Sequence, residues 1–380
     1  MCHSRVALAF LIVTGCAAPP IQKAPTANPD LVIEGRRLIA NARAEDKNLW
    51  RYRVVMEALK RGQFVEARTL LDETLPDISM LRALDPKARS THRLFTPESA
   101  KTFVGEPFER AMAYYHRGIL YWMDGELDNA RACFRTAQLF DADAQKEAFA
   151  CDYLLLDYLD GYVSAKLGAD GSDSLKRARA NAKQITLPDF DVSANVIVFL
   201  QMGFGPVKTT VGRNGERLAF QEGHSTAVAA EVRIDGVKTR TAPWDNLTYQ
   251  AVTRGGRLME LILRDKSRIK TTGDIIGDLT FEPGLILTLP ESTQNIGFAL
   301  VGTAFLAKAV AGSTETRADT RTWNNLPQFL AFTAMRAQPG PQHIEIEFFD
   351  AANKSLPAMK RTLAIEVKSR GDTVLFVADK

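Results

Sequence analysis

The feature that most constrains this chain is a change of hydrophobic period near Pro188. From residue 31 to about 188 apolar residues recur with helical spacing; beyond it, short apolar runs are separated by glycine, asparagine and proline. Residues 195–200, apolar from Val196 onward, read as a buried strand. The segment 227–234, followed by Asp235-Gly236, predicts a hairpin. Nearer the C-terminus, Ile344, Ile346 and Phe348 alternate with Glu345 and Glu347. Leu363, Ile365 and Val367 then alternate with Ala364 and Glu366, and a further run covers 373–377. Period-two alternation puts one face in a core and one in water. These three segments read as an antiparallel meander within a sandwich. Two stretches interrupt the β region: a short helix suggested by Leu258, Leu261 and Ile262, and the uncharged run 296–307. The latter is a core helix, or alternatively a segment lying on a bilayer surface. The expected class is α+β, with a helical domain over 31–188 and a β-rich domain over 189–380. Two domains also suit 380 residues, because single cores stop growing at about 250 to 300.

Within the helical part, Tyr114, Gly118, Tyr121, Gly125, Ala130, Phe134 and Ala137 resemble the tetratricopeptide spacing. In that pattern small residues let two antiparallel helices approach, and aromatics fill the groove between them. A second copy carries Gly62, Phe64, Ala67 and Leu71, with Val55 where a small residue is expected. Ala67 and Ala130 lie 63 residues apart, against a repeat of about 34, so 78–107 reads as an insertion. A third, degenerate unit covers 157–168 and 175–182. The plain alternative is a generic helical bundle. Repeat arrays present a concave surface to another chain, which makes Tyr114 and Tyr121 partner-binding candidates.

The N-terminus predicts export. Arg5 precedes eight apolar residues, 6–13, too few to span a bilayer but suited to a secretory signal. Val13-Thr14-Gly15-Cys16 resembles the lipobox of bacterial lipoproteins, in which the cysteine is acylated after cleavage. The resemblance implies a signal peptide over 1–15, a lipidated Cys16 and a mature chain of 380 − 15 = 365 residues. Several acyl chains make such anchoring effectively permanent. Ala17 in place of Asp favours the outer membrane, with the chain facing the periplasm. The alternative is a plain secretory signal with an incidental cysteine. Pro19, Pro20, Pro25 and Pro29 make the segment behind Cys16 within 16–30 an extended tether, whose residues 17–30 reach at most roughly 46 Å.

With 48 Lys plus Arg against 45 Asp plus Glu, the charge balance argues against a polybasic nucleic-acid binder. No His-Glu-x-x-His, phosphate-binding loop or Gly-x-Ser-x-Gly elbow occurs. The histidines, His3, His92, His116, His224 and His343, show no ligand spacing. The expectation is therefore no enzyme, no metal and no cofactor. After loss of Cys2 and acylation of Cys16, Cys133 and Cys151 remain, as a disulfide or as two buried thiols.

Two motifs remain distinctive: Gly203-Phe204-Gly205-Pro206-Val207-Lys208 and residues 315–327, Glu-Thr-Arg-Ala-Asp-Thr-Arg-Thr-Trp-Asn-Asn-Leu-Pro. Together with the lipobox, the helical repeats and the Pro339-Gly340 turn, they make the chain similar to a bacterial family of tetratricopeptide lipoproteins of the cell envelope. That family has no established activity. The resemblance implies a location and a class: a membrane-anchored, non-catalytic scaffold for a protein partner. The competing class is an envelope enzyme or a glycan- or peptidoglycan-binding protein using the β domain. Physically, the glycines around Phe204 allow a sharp bend, with Lys208 facing solvent; the alternative is an exposed loop that docks a partner through Phe204. Asp319 and Arg321 predict an ion pair, with Arg321 over the Trp323 ring, as a structural staple or a ligand site.

Overall fold

The computed structural model describes residues 31–83, 102–141, 152–182, 185–211, 217–253 and 319–379. The expected signal and tether with Cys16, the stretches around Leu258 and 296–307, and Cys151 lie outside the described residues.

The helices are α1 (Leu31–Asn41), α2 (Lys47–Lys60), α3 (Phe64–Ala83), α4 (Pro107–Met123), α5 (Leu127–Asp141), α6 (Leu154–Lys166), α7 (Ser172–Asn181) and, later, α8 (Leu247–Thr253). Short links pair α2 with α3, α4 with α5 and α6 with α7 as helical hairpins. Gly125 makes the α4–α5 turn at φ +82°, a conformation that disfavours any side chain. Gly118 permits close approach of the same two helices, since a β-carbon there would lie 2.6 Å from the Phe134 ring.

Among the described residues the β part holds two four-stranded sheets. The inner one has the order β10 (Thr373–Ala378), β1 (Val196–Met202), β7 (Phe329–Met335), β6 (Asp245–Asn246). The outer one has the order β5 (Val237–Thr241), β4 (Ala229–Ile234), β8 (Gly340–Phe349), β9 (Arg361–Val367). A separate ribbon pairs β2 (Val207–Val211) with β3 (Arg217–Gln221). The chain is thus mixed α+β, with mostly antiparallel sheets after the helices. The expected hairpin is present: Asp235 (φ +50°) and Gly236 (φ +74°) join β4 to β5.

Three layers result, because β1 is buried along its whole length. Val196, Val198, Leu200 and Met202 pack on Val232, Ile234, Ile344, Ile346 and Phe348 of the outer sheet. Ile197 and Phe199 point the other way, with Leu330 and Phe332, into a core continuous with the helices. Phe199 meets Tyr115 at 6.1 Å and Trp122 at 5.9 Å, while Phe332 meets Tyr158 at 5.8 Å and Tyr162 at 5.9 Å. The first helix of each hairpin, α2, α4 and α6, lies against β10 or β7. The helical face that a repeat array would offer to another chain is therefore covered by the protein's own sheet.

The expected C-terminal meander is corrected. β8 and β9 are antiparallel neighbours, but β10 crosses to the inner sheet and runs parallel to β1. The cause is visible at Asp372, just before β10. It accepts from Trp122 Nε1 at 2.8 Å and from Lys166 Nζ at 2.6 Å, which draws the strand onto α4 and α6. A second carboxylate, Asp245 in β6, accepts from the Leu154 and Leu155 amides at 3.0 and 2.8 Å at the start of α6. A negative charge is favourable there, where helix amides have no partner within the helix.

Candidate functional site: the junction of two distant motifs

The two distinctive motifs meet at the helix–sheet boundary. The 203–208 segment leaves β1 through Gly203 at φ +72° and crosses 223–225, where Phe204 and His224 exchange backbone hydrogen bonds at 2.8 Å. A β-carbon on Gly203 would sit 2.4 Å from the His224 carbonyl oxygen, and one on Gly205 2.7 Å from that of Pro327. Those glycines are thus required by backbone crossing. Gly205 N donates to the Leu326 carbonyl at 2.7 Å, joining the first motif to the second.

Residues 319–327 run as a strap over α2 and the start of α4, and Glu109 is their anchor. Its carboxylate is fully buried and accepts from the Trp323 amide at 2.5 Å, the Thr322 hydroxyl at 3.1 Å and the Glu106 amide at 2.6 Å. Glu106 caps the start of α4, so its amide has no partner within the helix and the Glu109 carboxylate takes it as a capping box, while Pro107 at the first helical position brings no amide that needs a partner. Burial raises the pKa of Glu109 despite the opposing pull of Lys208 and of the amides. Further bonds fasten the strap to α2. Arg53 Nη2 donates to the Thr322 carbonyl at 3.0 Å, and Asn325 Nδ2 donates to the Arg53 carbonyl at 2.9 Å and to Glu57 at 3.2 Å. Desolvation lowers Arg53 to about 10, with Glu109 and Asp46 opposing it.

The predicted Asp319–Arg321 ion pair is present at 2.8 Å, and Arg321 also reaches Asp46 at 2.9 Å. Burial works against charge at Asp319, yet Arg321 and Lys208 hold its carboxyl below the ordinary range. The predicted stacking is corrected. Arg321 lies over Phe103 at 5.5 Å, whereas Trp323 is buried face to face with Tyr52, centroids 4.3 Å apart and planes within 5°. Tyr52 covers one face of the indole and the His116 ring lies 5.8 Å away, while the Arg321 guanidinium is drawn to Asp319 and Asp46.

The solvent-facing reading of Lys208 is corrected too. β2 turns its side chain inward, where Nζ meets Glu106 at 2.7 Å and lies 5.7 Å from the Phe103 ring centre. Burial pulls its pKa down, but Glu106, Glu109 and Asp319 together keep it above its ordinary value. Phe204 is half-buried, 5.3 Å from the His224 ring and 5.9 Å from Lys60 Nζ.

Tyr114 and Tyr121 are not brought to this junction. The Tyr114 hydroxyl meets Ser79 at 2.7 Å and its ring stacks on Phe140; Tyr121 lies beneath Arg117 at 3.5 Å. Cys133 is a free, buried thiol pushed up to about 12, chiefly by burial, while its candidate partner Cys151 lies outside the described residues. His116 is buried against Trp323, with Gln201 Nε2 2.7 Å from its Nε2. Burial lowers its pKa to about 3, so the ring is neutral at pH 7. Sequence reasoning missed Glu109, Tyr52 and Asp46. A Glu106-Pro107 start followed by Glu109 is a helix-start signal that would have flagged Glu109; Tyr52 and Asp46 carry no local signal.

The cluster's chemistry is cohesive. Glu109, Glu106, Lys208, Asp319, Arg321 and Asp46 satisfy one another, so they hold the strap in place. Among the described residues no group of three His, Cys, Asp or Glu side chains is placed to hold a metal, and no helix is long and apolar enough to cross a membrane. Comparison with protein-family models, curated proteins and solved structures finds no match.

Two outcomes are expected. Glu109→Ala strands the buried Trp323 amide, the Thr322 hydroxyl and the part-buried Glu106 amide and leaves Lys208 with less negative charge, a loss of about 3 kcal/mol or more in urea unfolding. A loss below about 1 kcal/mol would refute the anchoring role. For pH, His116 binds its proton near 3 when folded and near 6.5 when unfolded, so its contribution is complete above 6.5 and fades as pH falls. The slope is about 1.4 kcal/mol per pH unit. Asp157, raised to about 6 chiefly by burial, has the opposite sign. Comparing His116→Asn with the parent from pH 7 to 4 isolates the histidine: the variant should lose less stability on acidification, and parallel curves would contradict its burial as a neutral ring.

Proposed function

We propose that this chain is a lipid-anchored, non-catalytic docking protein of the bacterial cell envelope, built on divergent tetratricopeptide-like hairpins and held at the periplasmic face of the outer membrane. The observation that carries the reading is Val13-Thr14-Gly15-Cys16 after a short apolar run, with a proline-rich tether behind it. The close approach of Gly118 to Phe134 and the Gly125 turn support kinship of α4–α5 with such repeats. The mutual neutralisation of Glu106, Lys208, Asp319 and Arg321 commits those charges to the fold, which fits a structural use of the junction.

One part of the sequence-based reading changes. The inner face of the helices is filled by β1, β7 and β10, so a protein partner docks on the outside of the molecule. A tether that confines the protein to one surface raises its effective concentration there, which lets a modest contact stay occupied. Replacing Cys16 with Ser should move the protein from the membrane fraction to the soluble periplasm without lowering its thermal stability. A parent chain found soluble and unacylated by mass spectrometry would end the anchoring proposal.

A further inference from the structure

The outer sheet ends on β9, which among the described residues pairs with β8 alone. Its burial alternates: Thr362, Ala364 and Glu366 are exposed on the outer face, while Arg361, Leu363 and Ile365 are half-buried on the inner one. The strand contains no proline or glycine to discourage pairing, so its outward backbone groups form a template for another strand. Glu366 makes no ion pair among the described residues, and Lys360, which reaches Glu345 at 3.3 Å, keeps 42% of its side chain exposed.

We propose that the occupant of this edge is a second copy of the same chain, with the two β9 strands antiparallel about a two-fold axis at Leu363. A two-fold axis perpendicular to the sheet requires opposed residues to lie on the same face, which leaves few registers. Centring on Ala364 sets Lys360 against Lys368 of the second copy, a repulsive pair at each end. Centring on Leu363 sets Lys360 against Glu366 twice and Thr362 against Ala364 twice on the outer face. On the inner face it puts Leu363 against Leu363 and Arg361 against Ile365, covering apolar surface that β8 alone leaves half open. Opposite charges directly across an antiparallel pair are favourable and like charges unfavourable, so charge selects this register. The product is one continuous eight-stranded outer sheet that leaves the helices and the strap untouched.

The test is sedimentation equilibrium on the full chain carrying Cys16→Ser, which excludes association through lipid and is independent of whether the native chain is acylated. A monomer–dimer equilibrium is expected. Glu366→Lys and Lys360→Glu should each weaken it at least tenfold, and the double exchange should restore most of the loss. Circular dichroism on each variant verifies the fold. A chain that stays monomeric at about 100 µM, or one whose dimer ignores both substitutions, overturns the proposal. So does an edge filled by a strand of a different protein while the chain itself remains monomeric.

Discussion

Strand β1 has no solvent face, and the rest of the molecule is arranged around that fact. One side of it carries Val196, Val198, Leu200 and Met202 into the sandwich; the other carries Ile197 and Phe199 into the helices. Aromatic side chains bury large areas and pack with specific edge-to-face geometry. The interlock of Phe199 and Phe332 with Tyr115, Trp122, Tyr158 and Tyr162 therefore fixes both the position and the orientation of the helical layer. Neither surface is stable in water alone: stripped of the sheet, α2, α4 and α6 would show a continuous apolar face, larger than soluble monomers usually expose.

Polar contacts add specificity to that burial. Asp372, Asp245 and Glu109 each carry a buried carboxylate across the boundary, to Lys166 and Trp122, to the α6 amides, and to the strap, respectively. Such pairs contribute little net stability relative to an apolar replacement, because desolvation offsets the attraction. They do set register, since a misplaced carboxylate would be left unpaired in a dry interior. The raised pKa of Glu109 records that cost.

Local pattern was legible in the sequence, and long-range partnership was not. Helical spacing marked 31–188 as helical even though α4 and α6 are buried almost all round; alternation located β8 and β9 because each has one face turned to water, and the Asp235-Gly236 turn located β4. The apolar run from Val196 to Leu200 implied a buried strand, but not that the sandwich would cover one side and the helices the other. The crossing of β10 escaped because its cause, Lys166 and Trp122, lies some 200 residues away, beyond any periodicity. Lys208 and Arg321 illustrate the same limit: their types announced charge, but only the fold reveals that Glu106 and Asp46 wait for them. The motif glycines were rightly read as bends, although the reason proved to be backbone crossing against His224 and Pro327.

A helical layer whose would-be binding face is filled by its own sheet is a different object from an open receptor attached to a β domain. The direct measurement is to express residues 16–188 and 189–380 separately, each with Cys16 replaced by Ser where present, and to record amide hydrogen exchange on both and on the full chain. Strong protection is expected in the full chain for α4, α6, β1 and β7, and its loss in either half. Native-like protection of those elements in an isolated half would contradict that expectation.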